Sequence, residues 1–207
     1  MISLDTAVCV ECQRDHRRQH KKACKNRAAE LRVEILFRQP ESTHEGAGPI
    51  CCVPLPMDGT KSAMMPCCST LICTGCSYAN QVCENQMRER VKHLERLCPF
   101  CRQPRSFTQE EFYVMKRAKV NDPVALREVG KRRYDEGEYN GAFEYVSKAA
   151  ELGDIETHYS LSFMYDKGEG VDKDKKKELH YLEEAAIGGH PYARNNLGCV
   201  EVKRRID

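Results

Sequence analysis

Cysteine carries most of the chemistry this sequence can do. Thirteen of the 207 residues are cysteine, and twelve of those precede residue 102. Pairs of the form C-x2-C recur at Cys9/Cys12, Cys73/Cys76 and Cys98/Cys101. Such a pair chelates one ion from a tight turn, whereas a disulfide framework has no reason to repeat that spacing. The opening MISLDTAVCVEC has neither a basic start nor a long apolar run, so no secretory signal is expected there. No apolar run reaches the length of about 18 residues that a membrane span needs. The expectation is an intracellular protein, cytoplasmic or nuclear, in a reducing compartment with zinc on its thiolates.

The first cluster is Cys9-x2-Cys12-x7-His20-x3-Cys24. His20 and Cys24 are one helical turn apart and face one side, and neutral imidazole with thiolates is a zinc donor set. The second runs from Cys51-Cys52 through Cys67-Cys68 and Cys73/Cys76 to Cys98/Cys101. Four pairs over this span fit two interleaved ions, with pairs one and three on one and pairs two and four on the other. Interleaving ties distant loops together, so metal substitutes for a core the segment lacks. Cys83 fits no ligand position and reads as a small helix residue.

The elements that must hold these donors differ along the chain. Residues 14–39 read as a helix with Leu31, Ile35 and Leu36 at helical spacing, ended by Pro40. Residues 40–50 are turn and linker material, and 104–120 hold a short basic helix with Phe112 and Met115 on one face. Beyond Asn121 the sequence repeats. NDPVALREVG (121–130) aligns with GDIETHYSLS (153–162) and HPYARNNLG (190–198), making Ala125, Thr157 and Ala193 equivalent, and likewise Val129, Leu161 and Leu197. A period in this range means stacked helix pairs. Ala149/Ala150 and Ala185/Ala186 allow close helix approach, and Gly153 and Gly188/Gly189 are expected to end helices in a left-handed conformation. The third unit stops after one helix, so the array is expected to be clipped. The fold class expected is small zinc-stabilised α+β fingers followed by an all-α helical-repeat solenoid. Its divisions are 1–39, 40–104, 105–120 (a linker helix) and 121–207.

Three resemblances follow from these residues. CVECQRDHRRQHKKAC resembles the C-terminal half of a MYND finger, on Cys12-Gln13, His20-Lys21-Lys22 and Cys24, with Cys9 one residue nearer to Cys12 than the family's spacing. PIC, PCC…ICTGC and CPFCR over 48–102 resemble a RING finger. Tyr165, Gly168, Gly170, Val171, Asp174 and Glu184-Ala185-Ala186 resemble the Sel-1-like repeat over about 121–198. The RING resemblance implies one site of Cys67, Cys68, Cys98 and Cys101, and another of Cys51, Cys73, Cys76 and a fourth ligand. The position of that fourth ligand holds Gly48, leaving Cys52, His44 or a weakly held ion as the alternatives. The histidine usual before Cys73 is absent, with Thr70 in its place.

The RING resemblance also implies a function. Such fingers have no nucleophile; they hold a ubiquitin-charged conjugating enzyme in a reactive geometry. The matching contact positions are Ile50, Pro99 and Arg102, the last a rigid multi-donor fork suited to bridging ubiquitin and its carrier. No hydrolase triad, phosphate loop or catalytic carboxylate pair is present, which disfavours an enzyme with its own covalent chemistry. The lead expectation is a zinc-binding protein-interaction adaptor of RING type, with the repeats recruiting substrate. The alternatives are a non-enzymatic scaffold and a nucleic-acid-associated regulator. From Arg14 to Arg27 there are seven Lys/Arg and one acid, but no interleaved aromatic residue for base stacking, so nucleic acid is the least favoured partner. A net charge of +2 excludes a uniformly basic coat protein.

Overall fold

The computed structural model describes residues 21–38, 44–56, 58–91, 95–104 and 109–206. The chain divides into two compact units, Met1–Pro40 and Glu41–Asp207. The first contains helix α1 (Lys21–Phe37). Leu31, Ile35 and Leu36 are half-buried, and none of the helix's described side chains is fully buried.

The second unit begins with a turn-rich loop in which Ala47 and Pro54 form an antiparallel bridge. A 3-10 turn (Gly59–Lys61) follows, capped by the Asp58 carboxylate on Thr60 N–H. A hairpin of β1 (Ser62–Met65) and β2 (Thr70–Cys73) pairs Ser62 with Cys73 and Met65 with Thr70. Its turn holds Cys67 and Cys68, and Ser69 takes a left-handed backbone. Cys73 then caps α2 (Thr74–Arg90), whose Cys83 is exposed. A second bridge, Leu97 to Pro104, closes the finger. Its buried core is small: Met65, Ile72 and Cys98.

Six helices complete the described residues: α3 (Glu110–Lys119), α4 (Pro123–Asp135), α5 (Tyr139–Glu151), α6 (Ile155–Lys167), α7 (Lys175–Ile187) and α8 (Pro191–Ile206), with each packed against the next. The repeat register decides what is inside. Ala125, Thr157 and Ala193 are all fully buried, as are Ala149, Ala185 and Ala186, so consecutive helices approach at alanine. Each unit opens on an equivalent cap: Asp122 accepts from Ala125 N–H (2.9 Å), Asp154 from Thr157 N–H (3.0 Å), and His190 Nδ1 from Ala193 N–H (3.2 Å). A histidine therefore stands where the first two units carry aspartate.

One expectation needs correction. Gly153 and Gly189 are left-handed (φ 88 and 93), but Gly188 stays right-handed as the cap of α7, so only the second glycine of that pair reverses the chain. On α3 the inward face is Val114 and Ala118, one turn apart, with Met115 alongside; Phe112 is exposed. Val114 wins because its position, not that of Phe112, points at Ala125 and Leu126 of the first repeat.

The finger and the array meet within the second unit. Met64 of β1 packs on the core of Val114, Ala118, Leu126 and Val129. Arg117 of α3 donates from Nε to Ser69 Oγ in the hairpin turn (3.1 Å) and also to the carboxylate of Asp122. A cleft of 510 Å³ lies between residues 44–71 and helices α4 to α6. Part of the array surface is thus covered by the finger itself.

Candidate metal centre

Cys67, Cys68, Cys98 and Cys101 come together, with Sγ–Sγ separations of 3.8 Å between Cys68 and Cys98 and 3.3 Å between Cys67 and Cys101. Four thiolates at zinc–sulfur bond length on a tetrahedron stand about 3.8 Å apart, whereas a disulfide needs about 2.05 Å. The hairpin turn supplies two donors and the loop at 97–104 the other two. Cys51, Cys73 and Cys76 form a second group, with Cys51 and Cys73 Sγ 4.0 Å apart. Cys73 ends β2 and Cys76 lies in the first turn of α2, so strand end and helix start set their spacing.

Neighbouring thiols within each group oppose one another's ionisation. Burial, then hydrogen bonding to Cys101 and Cys98, pushes the Cys67 thiol far above its ordinary range. Hydrogen bonding to Cys73, with burial second, pushes Cys76 up to about 11. Cys73 moves the other way, held down chiefly by the backbone N–H of Cys76. Within the trio, ionisation is favoured at Cys73 and opposed at Cys76. A divalent cation removes that resistance, because it favours every thiolate at once. The donor set, its spacing and its half-buried setting fit zinc.

Of the remaining expected site residues, Ile50, Pro99 and Arg102 are all exposed, on the two loops that carry Cys51 and Cys101. Cys9, Cys12 and His20 lie outside the described residues, and so does the side chain of Cys24. Cys52 is exposed, left-handed (φ 56), and outside both thiol groups. His44 does not turn toward the cysteine trio either.

No family model matches the chain. Among solved structures it is similar to a Sel1 repeat protein from Oxalobacter formigenes, at 26% identity and a TM-score of 0.39 over 42% of this chain. The chain spans 38% of that protein's length. It is also similar to cysteine rich protein B from Helicobacter pylori, at 23% identity and a TM-score of 0.40, over 58% of this chain and 90% of the other.

What His44 does was not legible in its sequence surroundings. Its Nε2 lies 3.1 Å from Glu156 Oε2, and His190 Nε2 lies 3.1 Å from the same oxygen. The two imidazoles are almost fully buried, at 5% and 2% side-chain exposure. His190 uses Nδ1 to accept from Ala193, so its proton sits on Nε2 and is donated to Glu156. That assignment leaves His190 no lone pair for a metal. The cluster is a hydrogen-bonded clasp, with two N–H groups converging on one carboxylate. Beside it Arg127 donates to Asp154 (3.0 Å) and pairs with Glu45 (3.3 Å). The cap alignment NDP, GDI, HP was the available signal for His190; nothing local marked Glu156 or Arg127.

Burial works to raise the pKa of Glu156, but the hydrogen bonds from His190 and His44 outweigh it and hold the carboxyl well below the usual range. A depressed folded pKa gives stabilisation that is complete above the unfolded value, near 4.5, and is lost as pH falls from there toward the folded value. Glu156→Gln is expected to destabilise the protein at pH 7 and to converge with the native chain at the acid end of that window. Urea midpoints of both proteins at each pH check this, because acid release of thiolate-bound metal is common to both and cancels. Parallel curves at all pH values would show that the clasp carries no proton linkage.

Proposed function

We propose that this chain is a zinc-binding protein-interaction adaptor of RING type, in which the finger receives a ubiquitin-conjugating enzyme and the helical array presents a substrate. The observation that carries it is the interleaving of the two thiol groups: Cys51 with Cys73 and Cys76, and Cys67 and Cys68 with Cys98 and Cys101. Two ions set this way pin both loops at fixed positions without needing a large core. Ile50 and Pro99 would offer the apolar contact and Arg102 the bridging guanidinium, and all three are solvent-facing. No covalent catalytic residue is required, because holding the thioester in a reactive geometry is the catalytic act.

The test is ubiquitin transfer with a panel of conjugating enzymes. The native chain is expected to build ubiquitin chains with at least one of them, Arg102→Ala to lose about 10- to 100-fold of that rate, the range for one charged hydrogen bond, and Pro99→Ala to lose about 10-fold, the scale of one apolar contact. Zinc content of the variants should be unchanged. No transfer with any enzyme removes the ligase reading.

A second reading, a non-enzymatic scaffold with structural zinc, is favoured by one observation. Gly48 stands on the same loop as Ile50 and contributes no ligand, so the proposed docking surface rests on a trio rather than a quartet.

A further inference from the structure

The finger contains the same loop twice. Residues 47–54 and 97–104 each close with an antiparallel bridge, Ala47 to Pro54 and Leu97 to Pro104. Gly48 N–H donates to Val53 O and Cys98 N–H to Gln103 O, both at 2.8 Å. Cys52 N–H donates to Gly48 O (2.9 Å) and Arg102 N–H to Cys98 O (3.0 Å). Cys52 and Arg102 share the left-handed backbone, at φ 56 and 62. By this register Cys101 corresponds to Cys51, and Cys98 corresponds to Gly48.

Cys98 reaches its cluster. Gly48 is aimed at the other cluster but has nothing to reach with. A Cβ at position 48 would stand 3.1 Å from Cys51 Sγ, with Leu55 and the carbonyl of Val53 next at 3.5 and 3.6 Å. Leu55 offers no donor. His44 is committed to Glu156, and Cys52 lies outside the group. Among the described residues the trio therefore has no fourth ligand, although its backbone is built for one. Gly48 itself is buried, while Cys51 is exposed, so an incoming group approaches across Cys51.

We infer that the Cys51, Cys73 and Cys76 site holds its zinc with an open fourth position that takes a neutral imidazole from another protein. This rests on the zinc reading above. Zinc seeks four donors, and three protein ligands with one exchangeable position is its open form. Three thiolates already exceed the ion's charge by one. A fourth thiolate would leave two uncompensated charges, whereas imidazole completes a Cys3His set at no further charge. The backbone N–H groups of Cys76 (3.4 Å) and Gly75 are both directed at the sulfur of Cys73. A protein whose histidine fills the position would lock itself to the finger beside Ile50.

Cobalt(II) substitution tests this, with imidazole as the probe and Gly48→Cys as the closed form. Added imidazole is expected to change the visible cobalt bands of the native chain and leave those of Gly48→Cys unaltered; the N-terminal cysteines are common to both and cancel. Gly48→Cys should also slow release of one ion to a competing chelator at least tenfold. Gly48→Ala, which adds the Cβ without sulfur, should keep the imidazole response, and Cys51→Ser should abolish it even if Gly48→Cys fails to fold. A native spectrum that ignores imidazole overturns the inference and means the chain closes the position itself. Absence of any thiolate-to-cobalt band would bring down the zinc reading first, and this inference with it.

Discussion

Cys98→Ser should release zinc from the group of Cys67, Cys68, Cys98 and Cys101 and unfold the finger while the helical array stays folded. Cys98 is 1% exposed and belongs both to that donor set and to the finger's core, where its buried companions are Met65 and Ile72. Burying two such side chains stabilises by about 1.5–3 kcal/mol each. Structural zinc contributes on the order of 10 kcal/mol or more of apparent binding energy in small fingers. The metal therefore decides whether residues 44–104 are ordered, and a hydroxyl is a poor substitute for one of its four thiolates. The array has its own cores, one around Leu126 and Val129 and another around Val146 and Leu161. Met64, Ser69, His44 and Glu45 would be withdrawn from it. Elemental analysis with limited proteolysis checks this. The expected result is loss of zinc, rapid cleavage within 44–104 and persistence of a helical fragment over 109–206. Retained zinc and uniform protease resistance would mean that packing, not metal, holds the finger. Exhaustive chelation of the native chain should reproduce the variant's pattern.

The parts of the molecule legible in the sequence are those set by local spacing. C-x2-C pairs specify tight turns, and the alignment of Ala125 with Thr157 and Ala193 specified three interior positions that are all fully buried. The roles of the Sel-1-like positions follow directly: Gly168 ends α6 in a left-handed cap, Asp174 caps α7, and buried Tyr165 stacks on Tyr181. What was not legible depends on how the finger and array lie together. His44 stands 112 residues from Glu156 in sequence, and no periodicity links them. Which face of α3 turns inward was not legible either: Val114 and Ala118 pack on Ala125 and Leu126, while Phe112 is exposed. Gly48 is the instructive intermediate case. The sequence marks a missing ligand, and only the backbone correspondence with Cys98 shows that the corner is still aimed at the trio.

The other large effect is expected at Gly170. The loop between α6 and α7 folds back on the preceding unit, where Glu169 accepts from the hydroxyl of Tyr134 and Gly170 lies against the start of α5. A Cβ at Gly170 would fall 2.1 Å from the carbonyl oxygen of Tyr139 and 2.6 Å from its carbon. Those are backbone atoms of a helix terminus, so no rotamer change relieves the overlap. Gly170 is also left-handed (φ 73), which costs a residue with a Cβ about 1–2 kcal/mol before any clash. Gly137 separates the two effects. It has a similar backbone (φ 82) with nothing within 4 Å of an added Cβ. Gly137→Ala should therefore lose only the conformational cost, on the order of 1 kcal/mol, and lower Tm by about 4–8 °C per kcal/mol for an array of this size. Gly170→Ala should lose that amount plus the cost of parting the loop from α5, for a total of about 3 kcal/mol or more. The difference between the two variants measures how tightly consecutive repeats are held by this loop. Equal losses at both glycines would show that the loop yields freely and that the alanine-lined helix contacts alone keep the units together.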